Sequence, residues 1–223
     1  MTPLVAVPLL AAAVAAVANW AAVWMGGPRG AAVERVAKPA TLVLLIVAAV
    51  NWPADAGSVA AGVRPWLLLG LAASLAGDVF LLPPGRFIPG LVAFLLGHLA
   101  YLVAFMALPA EGGWLAAGIV AGVALIGTVG RTLVRLAARI GLGAPVAAYL
   151  VAITLMALAA TRTGEPAAIA GSWLFVASDA MLGWGRFSDP APGTPRGGGR
   201  MLGTGVMVTY HLGQALILLA LVA

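Results

Sequence analysis

Ala76-Gly77-Asp78-Val79-Phe80-Leu81-Leu82 and its counterpart Ala177-Ser178-Asp179-Ala180-Met181-Leu182-Gly183 each set one carboxylate inside an apolar run long enough to cross a bilayer. An aspartate near the centre of such a helix costs about 2.5–3.5 kcal/mol on insertion scales, which makes it a functional candidate by default. The plainer alternative is a pair of protonated or hydrogen-bonded carboxyls that hold helices together. The runs around the two aspartates decide the fold. Hydrophobic residues make up 63% of the 223 positions and charged residues 9%, with a mean hydropathy of +1.08. Apolar stretches recur along nearly the whole chain, so the composition predicts an all-α polytopic membrane protein, one domain over residues 1–223.

Eight transmembrane helices are expected. The first covers about Thr2 to Met25 and reads as a retained span, because it lacks a basic n-region. Gly26-Gly27-Pro28-Arg29-Gly30 breaks it, and the second starts near Arg35, with Pro39 in its first turn, and ends near Asn51-Trp52-Pro53. The third runs from Pro65 to Leu82 and the fourth from Ile88 to Leu108. The fifth begins near Gly113, and its apolar part ends near Gly130. Arg131, Arg135 and Arg139 follow on one face, where lipid headgroups or simple topology anchoring would use them. The sixth runs from about Ala144 to Ala160, the seventh from Pro166 to Arg186 and the eighth from Arg200 onward. Ser188 to Gly199 reads as a flexible Pro/Gly-rich loop.

The absence of cysteine excludes disulfides, thiolate catalysis and cysteine metal sites. A net charge of +5 would suggest nucleic acid in a soluble protein, but here the cations cluster at helix ends and no nucleic-acid partner is expected. Ten of the twelve Lys and Arg residues fall after the odd-numbered helices, which puts those loops in the cytoplasm and both termini on the other side of the cell's inner membrane.

The two halves, about 1–109 and 110–223, echo each other. Gly85-Arg86-Phe87 answers Gly185-Arg186-Phe187, and Gly97-His98-Leu99-Ala100-Tyr101 answers Tyr210-His211-Leu212-Gly213-Gln214. Four helices per half make the repeats parallel. By helical rise, Asp78 lies roughly 6 Å and Asp179 roughly 10 Å from the cytoplasmic turns, with His98 and His211 near mid-depth. Lys38 lies at the same membrane face. The polar set is therefore expected around one cavity open to the cytoplasmic leaflet. Two carboxylates in a low-dielectric cavity supply an acid and a base together, which suits a reaction through an oxocarbenium-like cation. Zinc at His98, His211 and the aspartates is a weak alternative without a close-spaced histidine pair, and no metal or other cofactor is expected.

Gly77-Asp78 with Gly90 to Tyr101, Lys38-Pro39, Ser178 to Leu182 and Tyr210-x-x-x-Gln214 together resemble the YhhN/TMEM86 family over essentially the whole chain. The resemblance implies a lysoplasmalogenase, which hydrolyses the vinyl ether of a lysophospholipid to a fatty aldehyde and a glycerophospho-alcohol. It implies Asp78 and Asp179 as the catalytic carboxylates and Lys38 as a matching site residue. Vinyl ether hydrolysis needs protonation at carbon and then attack by water, and an acid–carboxylate pair supplies both. Lys38, with Arg86 or Arg186, would attract the phosphate headgroup. His98, Tyr101, Tyr210 and Gln214 would orient water or the glycerol hydroxyl. Where the family commonly has a second tyrosine on the last helix, this chain has His211. Three rivals remain at this point. One is a proton-coupled transporter of lipids or small molecules using the same aspartates. The others are an intramembrane aspartyl protease and a structural or lipid-binding protein.

Overall fold

A computed structural model describes residues 2–111, 113–188 and 199–222, and among these every regular element is helical. The elements are α1 (Pro3–Met25), α2 (Gly27–Asn51), α3 (Val59–Leu81), α4 (Phe87–Ala107), α5 (Leu115–Ala138), α6 (Gly143–Arg162), α7 (Pro166–Phe187) and α8 (Gly199–Val222). All except α2 are long and apolar enough to cross a membrane. Helix α2 falls short because Arg29, Glu34, Arg35 and Lys38 crowd its first half. Position 196 and most of the expected 188–199 loop lie outside the described residues.

Two expected boundaries need correction. Helix α2 starts at Gly27, so the break after α1 is the single residue Gly26, with φ 62°. Pro28 takes the first-turn position, where a missing N–H is harmless, and Pro39 lies well inside the helix instead. Helix α3 begins at Val59, ahead of Pro65, because Ser58 caps it by accepting a hydrogen bond from the Ala61 N–H (3.1 Å). Past the apolar part of α5 the helix runs on to Ala138, carrying Arg131 and Arg135, through one π-helical turn at Ile126–Gly130.

The burial pattern is that of a protein solvated by hydrocarbon. Leu4, Val7, Leu10, Val14 and Val17 are exposed at helical spacing along α1, while Asn19, Lys38, Asp78, His98 and Gln214 are buried. Apolar side chains outward and polar ones inward is the arrangement a bilayer favours.

Helices pair along the chain: α1 with α2, α3 with α4, and α7 with α8. Lipid tails are as apolar as leucine, so close packing through small residues draws such helices together. On α3 and α4, Gly70 and Gly77 face Tyr101 and Phe94, and Gly97 faces the Gly70 carbonyl and Ser74. On α7 and α8, Gly171 and Gly213 meet backbone to backbone: a β-carbon on Gly171 would lie 2.9 Å from the Ile217 nitrogen. Helix α8 also touches α1, α2 and α3, and α4 touches α6, so the pairs are tied around α4 and α8.

The glycine at 171 is therefore a packing requirement and the one at 62 is not, since nothing lies within 4 Å of a β-carbon built there. Gly171→Ala is expected to lower stability by about 1–3 kcal/mol through overpacking. Gly62→Ala is expected to be neutral or to gain up to about 1 kcal/mol from helix propensity. Thermal unfolding in detergent micelles checks both, and equal melting temperatures would contradict the packing account.

Candidate active site

Asp78 lies one turn from the end of α3 and is fully buried. A carboxylate there needs partners, because an unpaired charge in an apolar interior is strongly disfavoured. Lys38 reaches in from the middle of α2 and sets Nζ 3.3 Å from Asp78 Oδ1. Tyr210 reaches in from α8 and donates its hydroxyl to Asp78 Oδ2 at 2.9 Å. Three helices thus meet at one carboxylate. Lys38 is itself only 5% exposed, so its ammonium faces Asp78 and not a lipid surface.

Asp179, on α7, is arranged in the same way with different partners. Tyr149 of α6 donates its hydroxyl to Asp179 Oδ2. His98 of α4 places Nε2 3.6 Å from that same oxygen, just beyond hydrogen-bond reach. No cation contacts Asp179 among the described residues. His98 is fully buried and neither ring nitrogen has a hydrogen-bond partner.

An aromatic partition separates the two carboxyls. Phe175 lies at its centre, with ring centroids 5.3 Å from Tyr210 and 4.7 Å from His98, both edge-on. Phe94 closes the partition 5.9 Å from Tyr210 and 6.4 Å from Phe175. Tyr149 leans edge-on against His98 at 5.1 Å. These edge-to-face distances are in the favourable range for aromatic pairs, so the partition is a rigid one. Deeper in the bundle, Tyr101 donates to Gln214 Oε1 at 2.5 Å, joining α4 to α8. The Gln214 amide nitrogen and the Ser74 hydroxyl beside this network have no partner.

A narrow cleft runs between α4, α5, α6 and α7. Its walls are apolar, with Leu91 and Phe94 on α4, Leu125 to Leu133 on α5, Val146 to Ile153 on α6 and Val176 to Phe187 on α7. The exceptions are Tyr149 and Asp179, the only polar side chains in its lining among the described residues. The π turn of α5 supplies Val129 and Gly130 to the wall. At one end the wall is formed by Phe87 and Phe187, stacked edge-on at 5.7 Å. The guanidinium of Arg186 lies 5.0 Å from the centre of the Phe87 ring and 5.9 Å from that of Phe187. Arg186 is exposed, as is Arg86 at the start of α4. A cation over aromatic faces is held in place while its donors stay free.

The structure therefore divides the residues singled out from sequence. Asp179 lines the cleft, His98 lies beside it, and Arg186 lies against Phe87 and Phe187 at the cleft's end. Lys38, Asp78 and Tyr210 form a closed group behind the partition, and Tyr101 and Gln214 pair deeper still. None of these last five lines the cleft. Among the described residues no three His, Cys, Asp or Glu side chains converge as a metal site would require. Tyr149 was missed as a site residue. Its only signal is a lone tyrosine in the apolar run from Gly143 to Arg162, which reads equally well as packing.

Removing Lys38 leaves a buried charge without its counter-ion. Lys38→Met is expected to destabilise by about 3–5 kcal/mol. That corresponds to roughly 10 °C of melting temperature for a chain of this size. The double variant Lys38→Met/Asp78→Leu is expected to recover most of the loss, as replaced buried pairs do. Additive losses in the double variant, measured by thermal unfolding in detergent, would contradict the ion pair.

The described geometry can be compared with known proteins. No solved structure matches the chain. Residues 33–221 match the YhhN family profile. Over 150 residues the chain is 32% identical to human "Lysoplasmalogenase TMEM86B", an alignment covering 67% of this chain and 60% of that protein. Over 158 residues it is 34% identical to "Lysoplasmalogenase" of Mycobacterium bovis, covering 67% of this chain and 58% of that protein. The pig protein "Lysoplasmalogenase TMEM86B" is 33% identical over 150 residues, with 67% of this chain and 60% of that protein covered. The matched part is thus about three fifths of each relative's length. A profile match that takes in all of α3 to α7 and nearly all of α8, with both aspartates and their four partners, means that this chain belongs to the YhhN family.

Proposed function

We propose that this protein is a lysoplasmalogenase-like hydrolase, cleaving the vinyl ether of an alkenyl-glycerophosphocholine or -ethanolamine with water to give a fatty aldehyde and a glycerophospho-alcohol. The observation that carries the reading is Asp179: one carboxyl in an otherwise apolar cleft, with an arginine held over the aromatic rings at its end. A single-chain lipid has the matching order of groups. Its phosphate meets Arg186, with Arg86 exposed at the neighbouring helix start, and its alkenyl chain meets the apolar walls. Seven residues separate Arg186 from Asp179, roughly 10 Å of helix, which sets the ether linkage deeper than the phosphate.

The two aspartates divide the chemistry. Asp179, without a cation beside it, carries the proton and gives it to the alkenyl carbon one bond beyond the ether carbon. The π pair of the double bond forms the new C–H bond, and the ether oxygen shares its lone pair to make an oxocarbenium ion. Asp179, now a carboxylate, takes a proton from the water that adds to the ether carbon. The hemiacetal collapses as the bond to the glycerol oxygen breaks and its hydroxyl proton passes to that oxygen. Asp78, held as an ion by Lys38 and Tyr210, keeps a fixed negative charge behind the partition, across it from the cleft where positive charge develops. His98 and Tyr210 hold the partition in register, and Tyr101 with Gln214 fixes α4 against α8.

The pattern of partners supports a duplicated origin with parallel four-helix halves. Each aspartate takes one partner from the second helix of its own half, Lys38 or Tyr149. It takes the other from the last helix of the opposite half, Tyr210 or His98. The repeat-equivalent residues Tyr101 and Gln214 bond to each other, as groups near an axis between the halves would. On this reading the cleft mouth, marked by Arg186, faces the cytoplasmic leaflet and the termini face away.

Purified protein in detergent, given alkenyl-lysophosphoethanolamine and assayed for fatty aldehyde, tests the proposal. Asp179→Asn is expected to lower kcat by about 10²–10⁴-fold. Asp78→Asn is expected to lower it as well, and Arg186→Gln to raise KM with kcat unchanged. Full activity in either aspartate variant overturns the paired mechanism. Lipid flux in sealed vesicles without aldehyde release overturns the hydrolase in favour of a transporter.

A further inference from the structure

Asp179 has two carboxyl oxygens in unlike surroundings. The Tyr149 hydroxyl donates to Oδ2, and the nearest nitrogen of His98, Nε2, approaches that same oxygen. Oδ1 takes no hydrogen bond among the described residues, in a side chain that is 11% exposed and lines the cleft. A neutral carboxyl accepts hydrogen bonds best at its carbonyl oxygen and donates from the other. The donor on Oδ2 thus makes Oδ2 the carbonyl and leaves the proton on Oδ1, aimed at the cleft.

We propose that Tyr149 is a positioning residue that fixes the orientation of the Asp179 carboxyl and so presents its proton to the substrate. This deepens the hydrolase reading and rests on it. Several features single out Tyr149 for the role. Its ring is 7% exposed and edge-on to His98, so the hydroxyl has little freedom to turn away. It is also one of only two polar side chains in the cleft wall. Phe175 and Tyr149 clamp His98 from two directions, so the imidazole cannot swing in to replace the hydroxyl as a donor. The carboxyl would otherwise rotate about its terminal torsion, which is broad and nearly two-fold for aspartate. A freely rotating acid spends part of its time with the proton facing His98. Transfer to carbon demands alignment, and small misplacements of a catalytic group lower its rate steeply.

Tyr149→Phe removes the hydroxyl and keeps the ring, the stacking and the cleft wall. Its melting temperature is expected to stay close to that of the parent, and KM to stay within about twofold, while kcat falls by at least about tenfold. Tyr149→Leu is expected to raise KM too, because it also removes part of the wall. A second readout needs no turnover: infrared spectroscopy of the protonated carboxyl band, assigned by its loss in Asp179→Asn. With the hydrogen bond to the carbonyl oxygen gone, the band in Tyr149→Phe is expected to move to higher frequency. An unmoved band, or an unchanged kcat in Tyr149→Phe, overturns the positioning role while leaving the hydrolase intact. If the parent protein itself releases no aldehyde, the hydrolase reading has failed, and the infrared shift alone still decides whether Tyr149 orients Asp179.

Discussion

A carboxyl group inside a bilayer must find its hydrogen bonds and counter-charges within the protein, and that single constraint organises this bundle. Asp78 and Asp179 each draw partners from two other helices, so that α2, α3 and α8 meet at one and α4, α6 and α7 at the other. Without hydrophobic attraction between helices, such polar junctions together with close glycine contacts are what select one packing over another. The polar groups that could serve chemistry are therefore the same groups that hold the fold together. For that reason a loss of activity on substitution must be read beside a stability measurement.

The two junctions have the same architecture and unlike chemistry. Lys38 gives Asp78 a full counter-charge, and neither residue lines the cleft. Tyr149 and His98 give Asp179 a hydrogen bond and a nearby imidazole, and the cleft reaches it. Under the proposed mechanism, a fixed anion on one side of an aromatic wall and a proton donor on the other would let two identical side chains do different work, set by environment alone. The edge-to-face packing of Phe94, Phe175 and Tyr210 keeps the two environments apart.

Much of this was legible in the sequence. The aspartates stand out because ionisable groups are rare in apolar runs. The inward stripes Phe94, His98, Tyr101, Phe105 and Ser172, Phe175, Asp179, Leu182 follow from helical spacing, and Phe94 to Phe105 are buried as that spacing predicts. What did not follow was azimuth across helices. Nothing in the spacing of Lys38 says that it points at Asp78 and not toward a lipid headgroup, since the two lie on different helices and either direction satisfies a cation. The signal from Tyr149 is ambiguous because a tyrosine in an apolar helix packs as well as it donates. The starts of α2 and α3 were placed too late because Arg35 and Pro65 look like boundaries. Pro28 and the Ser58 cap set the real ones earlier. The π turn of α5, which brings Val129 and Gly130 to the cleft, has no sequence marker beyond its glycines.

The most direct test of the account is an experimental map of the protein with a saturated single-chain ether lipid, which fills the site and cannot be hydrolysed. The account predicts chain density in the cleft between α4, α5, α6 and α7, the ether carbons against Asp179 and the phosphate beside Arg186. Density for that lipid beside Lys38, or only on the outer faces of the helices with the cleft empty, would contradict it.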